Sequence, residues 1–348
     1  MHNKRVLVGM SGGVDSSASA ILLKKQDYEV IGVSMLLSPS DTAGKYKDAV
    51  EVCGHIGIKH ILYDLKDYFR STIIEYFKNE YLAGRTPNPC VLCNSVIKWD
   101  KLFEKADELG CEYISMGHYS RIIRDENGYH LIRGLDNKKD QSYFLYGMKR
   151  SVLSRILFPL GGMVKDDAKR ICTHEGFDFF SRKKESMEIC FIPDDDYQKF
   201  LLDNFKEFKK IRQGKIIRDD GVKTTNIHEG YPFYTIGQRK GLGGGYSEPM
   251  YVSGTDPVKN EIRISDRKGL SSDTVLVKDL NFLEKIDLRC VYTAKIRYNT
   301  QPVECRIKEI ENGLIEVTFK EPVFAVTPGQ SCVIYKEDLV IGGGIIVK

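Results

Sequence analysis

Continuous apolar runs alternate with amphipathic stretches through the first half of the chain. "RVLVGM", "EVIGVSMLL", "HILYDL" and "CEYISMG" carry few polar breaks. Between them lie "SSASAILLKKQ", "KYKDAVEVCGHIG", "YFRSTIIEYFKNEYLAG" and "NSVIKWDKLFEKADELG", which read as helices. Strands apolar on both faces and separated by helices predict an α/β, doubly wound parallel sheet. Ligands of such sheets sit beyond the carboxyl ends of the strands, near the switch point. Three strand ends mark that crevice: the stretch from Gly9 to Ser17, Met35 and Gly117.

From about Asp194 the pattern changes. "DDDYQKFLLDNFKEF" predicts a short helix whose leading acids serve as N-cap and first turn. After "RQGKII", turns multiply between short alternating segments, "YPFYTIG", "MYVSGTD" and "EIRISD". The final stretch alternates apolar and polar residues between Asn-Gly, Pro-Gly and Glu-Asp turns, which predicts an antiparallel barrel or sandwich. The expected units are 1–195, a small β-rich α+β unit at 196–268, and a C-terminal β-barrel at 269–348. A chain of 348 residues is long enough for two or three domains.

Composition narrows the class without naming a function. Hydrophobic residues at 42% and charged residues at 29% suit an ordinary globular protein. A net charge of +4 does not by itself demand nucleic acid. No apolar run approaches the roughly 18 residues of a membrane span. The start, "MHNKRVLVGM", has no signal-peptide core, so the expected location is the cytoplasm, with no membrane partner. Nine scattered cysteines are unlike a secreted disulfide framework.

Three motifs carry candidate chemistry. In "GMSGGVDSS", Gly12 and Gly13 let the backbone turn tightly, and Ser11, Ser16 and Ser17 add hydroxyls at a helix N-terminus, which favours anions. No lysine stands where a Walker A loop has one, and Asp15 beside a phosphate calls for a magnesium ion between them. In "AGRTPNPCVLCNSVIKW", two prolines place Cys90 and Cys93 on a stiff loop just before a helix, where a thiol is expected to ionise more easily. Cys190, in "KKESMEICFIP", reads alone as a small buried residue flanked by Ile189, Phe191 and Ile192.

The loop resembles the PP-loop of ATP pyrophosphatases, which split ATP to AMP and pyrophosphate. Nearly end to end, the chain resembles the tRNA-uridine 2-sulfurtransferases, through "GMSGGVDSS", "AGRTPNP", "LCN", "GHYSRI", "RGLDNKKDQSYFLY", "LFPLG", "ICFIP", "YTIGQRKGLG", "AKIRY" and "AVTPGQ". The resemblance implies ATP with Mg2+ at Gly9, Met10, Ser11, Gly12, Gly13, Val14, Asp15 and Ser16, with Met35 and Gly117 beside the adenine and ribose. It implies tRNA contacts at His118, Lys139, Asp140, Gln141, Arg297, Tyr298 and Gln330. Basic runs "SRKKES", "KEFKKIRQGKIIR" and "GQRKG" would reach phosphates. Cys93 takes the nucleophile position and Cys190 that of the persulfide carrier, supplied by a sulfur-donor protein, a cysteine desulfurase or a relay protein.

Cys90 stands where many members carry aspartate. Two schemes therefore stay open: a Cys93–Cys190 disulfide cycle, or a [4Fe–4S] cluster on Cys90, Cys93 and Cys190. Two other functions compete. A PP-loop ligase forming an amide on a small carboxylate would have no use for Cys93 and Cys190. A non-catalytic RNA-binding or sulfur-carrier module would have no use for the loop.

Overall fold

The computed structural model describes residues 4–39, 41–181 and 189–347. The basic run beginning at Ser181 lies largely outside them. Strands β1 (Arg5–Gly9), β2 (Glu29–Leu36), β3 (Lys59–Asp64), β4 (Tyr113–Ser115) and a short Ile156–Leu157 strand form a five-stranded sheet, with β1 paired in parallel to both β2 and β4. The order β3-β2-β1-β4 puts the switch point between β1 and β4, as the alternation predicts. β1 is buried almost throughout, as a central parallel strand must be. Helix α1 (Val14–Lys25) follows β1, and α2 (Lys47–His55) follows β2.

The segment after β3 is helical in pieces. Lys66–Phe69 runs through a π turn, Arg70–Ile74, into Glu75–Leu82. The second cysteine motif differs from the expectation. Pro89–Cys93 is itself a helical turn with Pro at its start and Asn88 as N-cap, the Val91 amide donating to Asn88 Oδ1 at 3.4 Å. It continues through a π turn, Asn94–Trp99, into the helix Asp100–Glu108. Cys93 therefore ends the first turn of one helical run and does not precede a helix.

A hairpin, Ser120–Asp125 with Gly128–Arg133, leaves the parallel sheet and joins the C-terminal sheet, Ile132 pairing with Leu339. That sheet closes on itself. Six antiparallel strands, Ser271–Phe282, Tyr292–Lys295, Val303–Ile310, Leu314–Phe324, Ser331–Lys336 and Leu339–Ile346, pair in a ring, the first also bonding the last. Alternation fills the interior: Cys305 and Ile307 point in while Glu304 and Arg306 point out. Barrel residues Val333, Tyr335 and Val340 share one core with Leu7, Ile114 and Tyr143 of the first unit.

The central unit carries a four-stranded sheet built from Gly214–Arg218, Ile227–His228, Tyr251–Asp256 and Glu261–Ser265. "YPFYTIG" is not a strand there but begins with a 3-10 turn, Tyr231–Phe233, whose rings are buried. The helix expected near residue 194 starts at Tyr197 with Asp196 capping it, its carboxylate accepting from the Lys199 amide at 2.9 Å. Among the described residues, no helix is long and apolar enough to cross a membrane.

Candidate active site

The loop after β1 is held from within by its own hydroxyls. Ser16 Oγ donates to Gly13 O at 3.1 Å and Ser17 Oγ to the same carbonyl at 2.9 Å. Ser11 Oγ lies 3.1 Å from Ser16 Oγ, and the Gly13 amide donates to Ser11 Oγ at 3.3 Å. No side chain caps α1, so its first turn presents backbone amides at the sheet's carboxyl edge. Gly117, just past β4, seals the loop from the other side. A Cβ there would lie 2.7 Å from Asp15 C and Ser16 N, so only glycine allows this approach. Met35 lies at the end of β2, its carbonyl accepting from Tyr46 Oη at 2.5 Å.

The sequence reading missed what Asp15 does. Lys165 Nζ reaches both of its carboxylate oxygens, at 2.8 and 2.7 Å, and Tyr119 Oη donates to Oδ1 at 2.8 Å. A cation does stand at the loop after β1, but it comes from the helix Lys165–His174, far along the chain. Lys165 thus offsets the Asp15 charge at the loop.

The fold brings the distant cysteine segments together. Cys93 is buried in one apolar cluster with Phe69, Phe77 and Phe191. Phe191 packs edge-on to Phe69 and Phe77, centroids 5.5 and 5.3 Å apart, which anchors the segment and leaves its neighbour Cys190 solvent-accessible. The Cys190 thiol is in electrostatic reach of Lys98, Lys45 and Asp41, and both Cys90 and Cys93 feel it. Asp41 binds the Leu37 and Ser38 amides at 2.9 and 3.1 Å just beyond β2, so Cys190 stands near the carboxyl edge of the sheet.

All nine cysteines are free thiols. Their ionisation runs against the expectation of a lowered pKa. Burial pushes Cys93 up to about 12, with Lys98 pulling the other way. Cys90 and Cys190 are raised for the same reason, protein atoms crowding the Cys190 sulfur even though the residue is open to solvent. Lys98, half-buried on the π turn, is the cation common to all three thiols, and the sequence reading passed over it. Among the described residues, no group of three His, Cys, Asp or Glu side chains is arranged to hold a metal.

The residues expected to touch tRNA divide. His118 is buried beside Trp99 and Phe158, ring centroids 5.8 and 6.0 Å away, and burial lowers its pKa to about 3. Asp140 is buried, accepting from the Gly134 and Ser142 amides at 3.0 and 3.1 Å. Gln141 Oε1 accepts from the Tyr119 amide at 3.0 Å, and Lys139 is half-buried. Arg297 donates to Ile236 O and Ala325 O, both at 2.9 Å, and to Thr327 Oγ1, which ties the central unit to the barrel. Tyr298 packs against Phe144 with the rings tilted by 38° and 4.6 Å between centroids, under Lys295. Gln330 bonds the chain just before Cys90. Arg239 and Lys240 of "GQRKG" and Lys206, Lys209 and Lys210 are exposed cations.

Comparison with known proteins adds a family to this geometry. A family model described as a tRNA methyl transferase HUP domain matches residues 4–194. A PRC-barrel domain of the same description matches 199–266, and an aminomethyltransferase beta-barrel domain matches 272–346. The tRNA-specific 2-thiouridylase MnmA of Salinibacter ruber is 41% identical over 98% of this chain and 94% of its own length. The enzyme of that name from Amoebophilus asiaticus is 43% identical over 99% and 96%. The chain belongs to the tRNA-specific 2-thiouridylase family. A third such relative, from Carboxydothermus hydrogenoformans, is 42% identical over 99% of this chain and 98% of its own. Family membership thus spans the loop, the cysteine helix and the barrel together.

Proposed function

We propose that this chain thiolates the wobble uridine of tRNA at position 2 with ATP, its three units being 1–195, 196–268 and 269–348. The observation that carries the reading is the meeting of Cys93 and the Cys190 segment in one cluster beside the amide-lined loop. An amide-forming ligase has no use for that meeting. ATP lies along Gly9, Met10, Ser11, Gly12, Gly13, Val14, Asp15 and Ser16, with Met35 and Gly117 at the nucleoside. The α1 amides face the phosphates, and Lys165 neutralises Asp15 beside them.

Uridine O2 attacks the α-phosphorus and pyrophosphate departs, so the oxygen leaves later within AMP. A sulfur-donor protein loads Cys190, a residue open to solvent, with a persulfide. Its terminal sulfur attacks C2 and expels AMP. The Cys93 thiolate attacks the Cys190 sulfur and releases the transferred sulfur to the uridine, leaving a Cys93–Cys190 disulfide for an external thiol to reduce. Cys93 is buried and protonated at rest, so Lys98 and the docked substrate must favour its ionised form. The target base has to be turned out of the anticodon stack to reach it.

ATP labelled at the α- and γ-phosphates, incubated with the protein, a persulfide source and unmodified tRNA, should give AMP and pyrophosphate. Release of ADP and orthophosphate contradicts the reading.

A further inference from the structure

The chain that leads from the preceding helix into the cysteine helix, residues 82–88, bonds the Ala83, Gly84 and Arg85 amides back to Asn79, Tyr81 and Glu80, but it leaves its carbonyls to be met from elsewhere. Pro87 and Pro89 have no amide to donate, and residues 85–88 have no regular structure. Those partners come from both C-terminal units. Tyr231 Oη donates to Leu82 O at 2.7 Å and Thr255 Oγ1 to Gly84 O at 2.6 Å, both from the central unit. From the barrel, Gln330 Nε2 donates to Thr86 O at 3.1 Å and Pro87 O at 3.0 Å. The Thr86 amide in turn donates to Pro328 O at 3.1 Å. Gly329 makes the approach feasible: it holds φ +92°, and a Cβ there would lie 2.7 Å from Thr86 O.

We infer that Gln330 is a positioning residue for sulfur transfer, fastening the barrel to the strap before Cys90 so that Cys90 and Cys93 stay aligned with the activated uridine. The inference rests on the proposed thiolation, and it differs from a direct tRNA contact because both protons of the Gln330 amide are already spent on the strap. Asn88, the cap of the cysteine helix, follows Pro87 directly, so two unpaired carbonyls at Thr86 and Pro87 would shift that helix as a unit. A displacement of about 1 Å at a reacting group can cost on the order of a hundredfold in rate.

The test uses full-length Gln330→Ala and Gln330→Glu, the second keeping shape while removing both donors. Without substrate, iodoacetamide labelling read by peptide mass spectrometry should show Cys93 reacting at least about tenfold faster than in the parent. Cys332, buried in the barrel, should stay equally protected, whereas general loosening would expose both. With tRNA and ATP, the affinity for tRNA should stay within about twofold while AMP formed per thiouridine rises, as activated uridine is lost to water. An unchanged Cys93 labelling rate overturns the inference even if the parent proves inactive. In an active parent, an unchanged AMP-to-thiouridine ratio with weakened tRNA binding overturns it in favour of a tRNA contact.

Discussion

Asp15 and Lys165 form an ion pair whose side chains are only 33% and 12% exposed, at the loop proposed to take the nucleotide phosphates. Without its lysine, the carboxylate would repel the phosphates that the α1 amides attract. Lys165→Met should therefore weaken ATP binding by at least about tenfold, or about 1.4 kcal/mol. Calorimetry with a non-hydrolysable analogue measures this, and unchanged affinity would remove Lys165 from the site. The loop itself was legible from nine contiguous residues because phosphate cradles are local. Lys165 was not, because it arrives from a helix 150 residues later. Read alone, Cys190 is an inert apolar neighbour for a related reason: only the packing of Phe191 on Phe69 and Phe77 shows that its segment is anchored beside Cys93.

At the scale of elements, the parallel sheet was legible because buried strands need unbroken apolar runs. The hairpin at 120–133 was missed although "ENG" marks its turn, Glu126 and Asn127 forming the loop and Gly128, at positive φ, opening the second strand. It matters because it ties the first unit to the barrel through charge. His130, nearly buried, bonds Asp125 Oδ1 and Glu284 Oε1, both at 2.8 Å, and Arg150 pairs with the other Glu284 oxygen at 3.3 Å. Burial opposes its protonation, but the two carboxylates outweigh burial and raise its pKa. The His130 bond in turn lowers Asp125. Stability from His130 is thus complete below the ordinary histidine pKa of about 6.5 and is lost as pH rises through the raised value. The Asp125 share is lost on the acid side, as pH falls through its lowered value. The melting-temperature gap between parent and His130→Ala should be widest near pH 5 to 6 and shrink towards pH 8.5. A gap independent of pH would contradict the charged joint.

At the scale of the molecule, the closed barrel followed from its alternating strands and turns. Its attachment did not, because the shared core and the polar ties are contacts between residues far apart in sequence. Arg297 is the clearest case: expected by resemblance as a tRNA contact, it turns Nη2 to Ile236, Ala325 and Thr327. Arg297→Ala should destabilise the protein by about 1–3 kcal/mol, since it strands buried acceptors on two units. Chemical denaturation measures that cost, and an unaltered midpoint would return Arg297 to the surface role.

The central claim joins one ATP loop to two cysteines that meet only in the folded chain. Nucleoside mass spectrometry of tRNA after reaction with purified protein, ATP and a persulfide source tests it most directly. The parent should produce 2-thiouridine, and Cys93→Ala and Cys190→Ala should each produce none while retaining the parent's melting temperature. Thiouridine formed by either folded variant at the parent's rate would contradict the account.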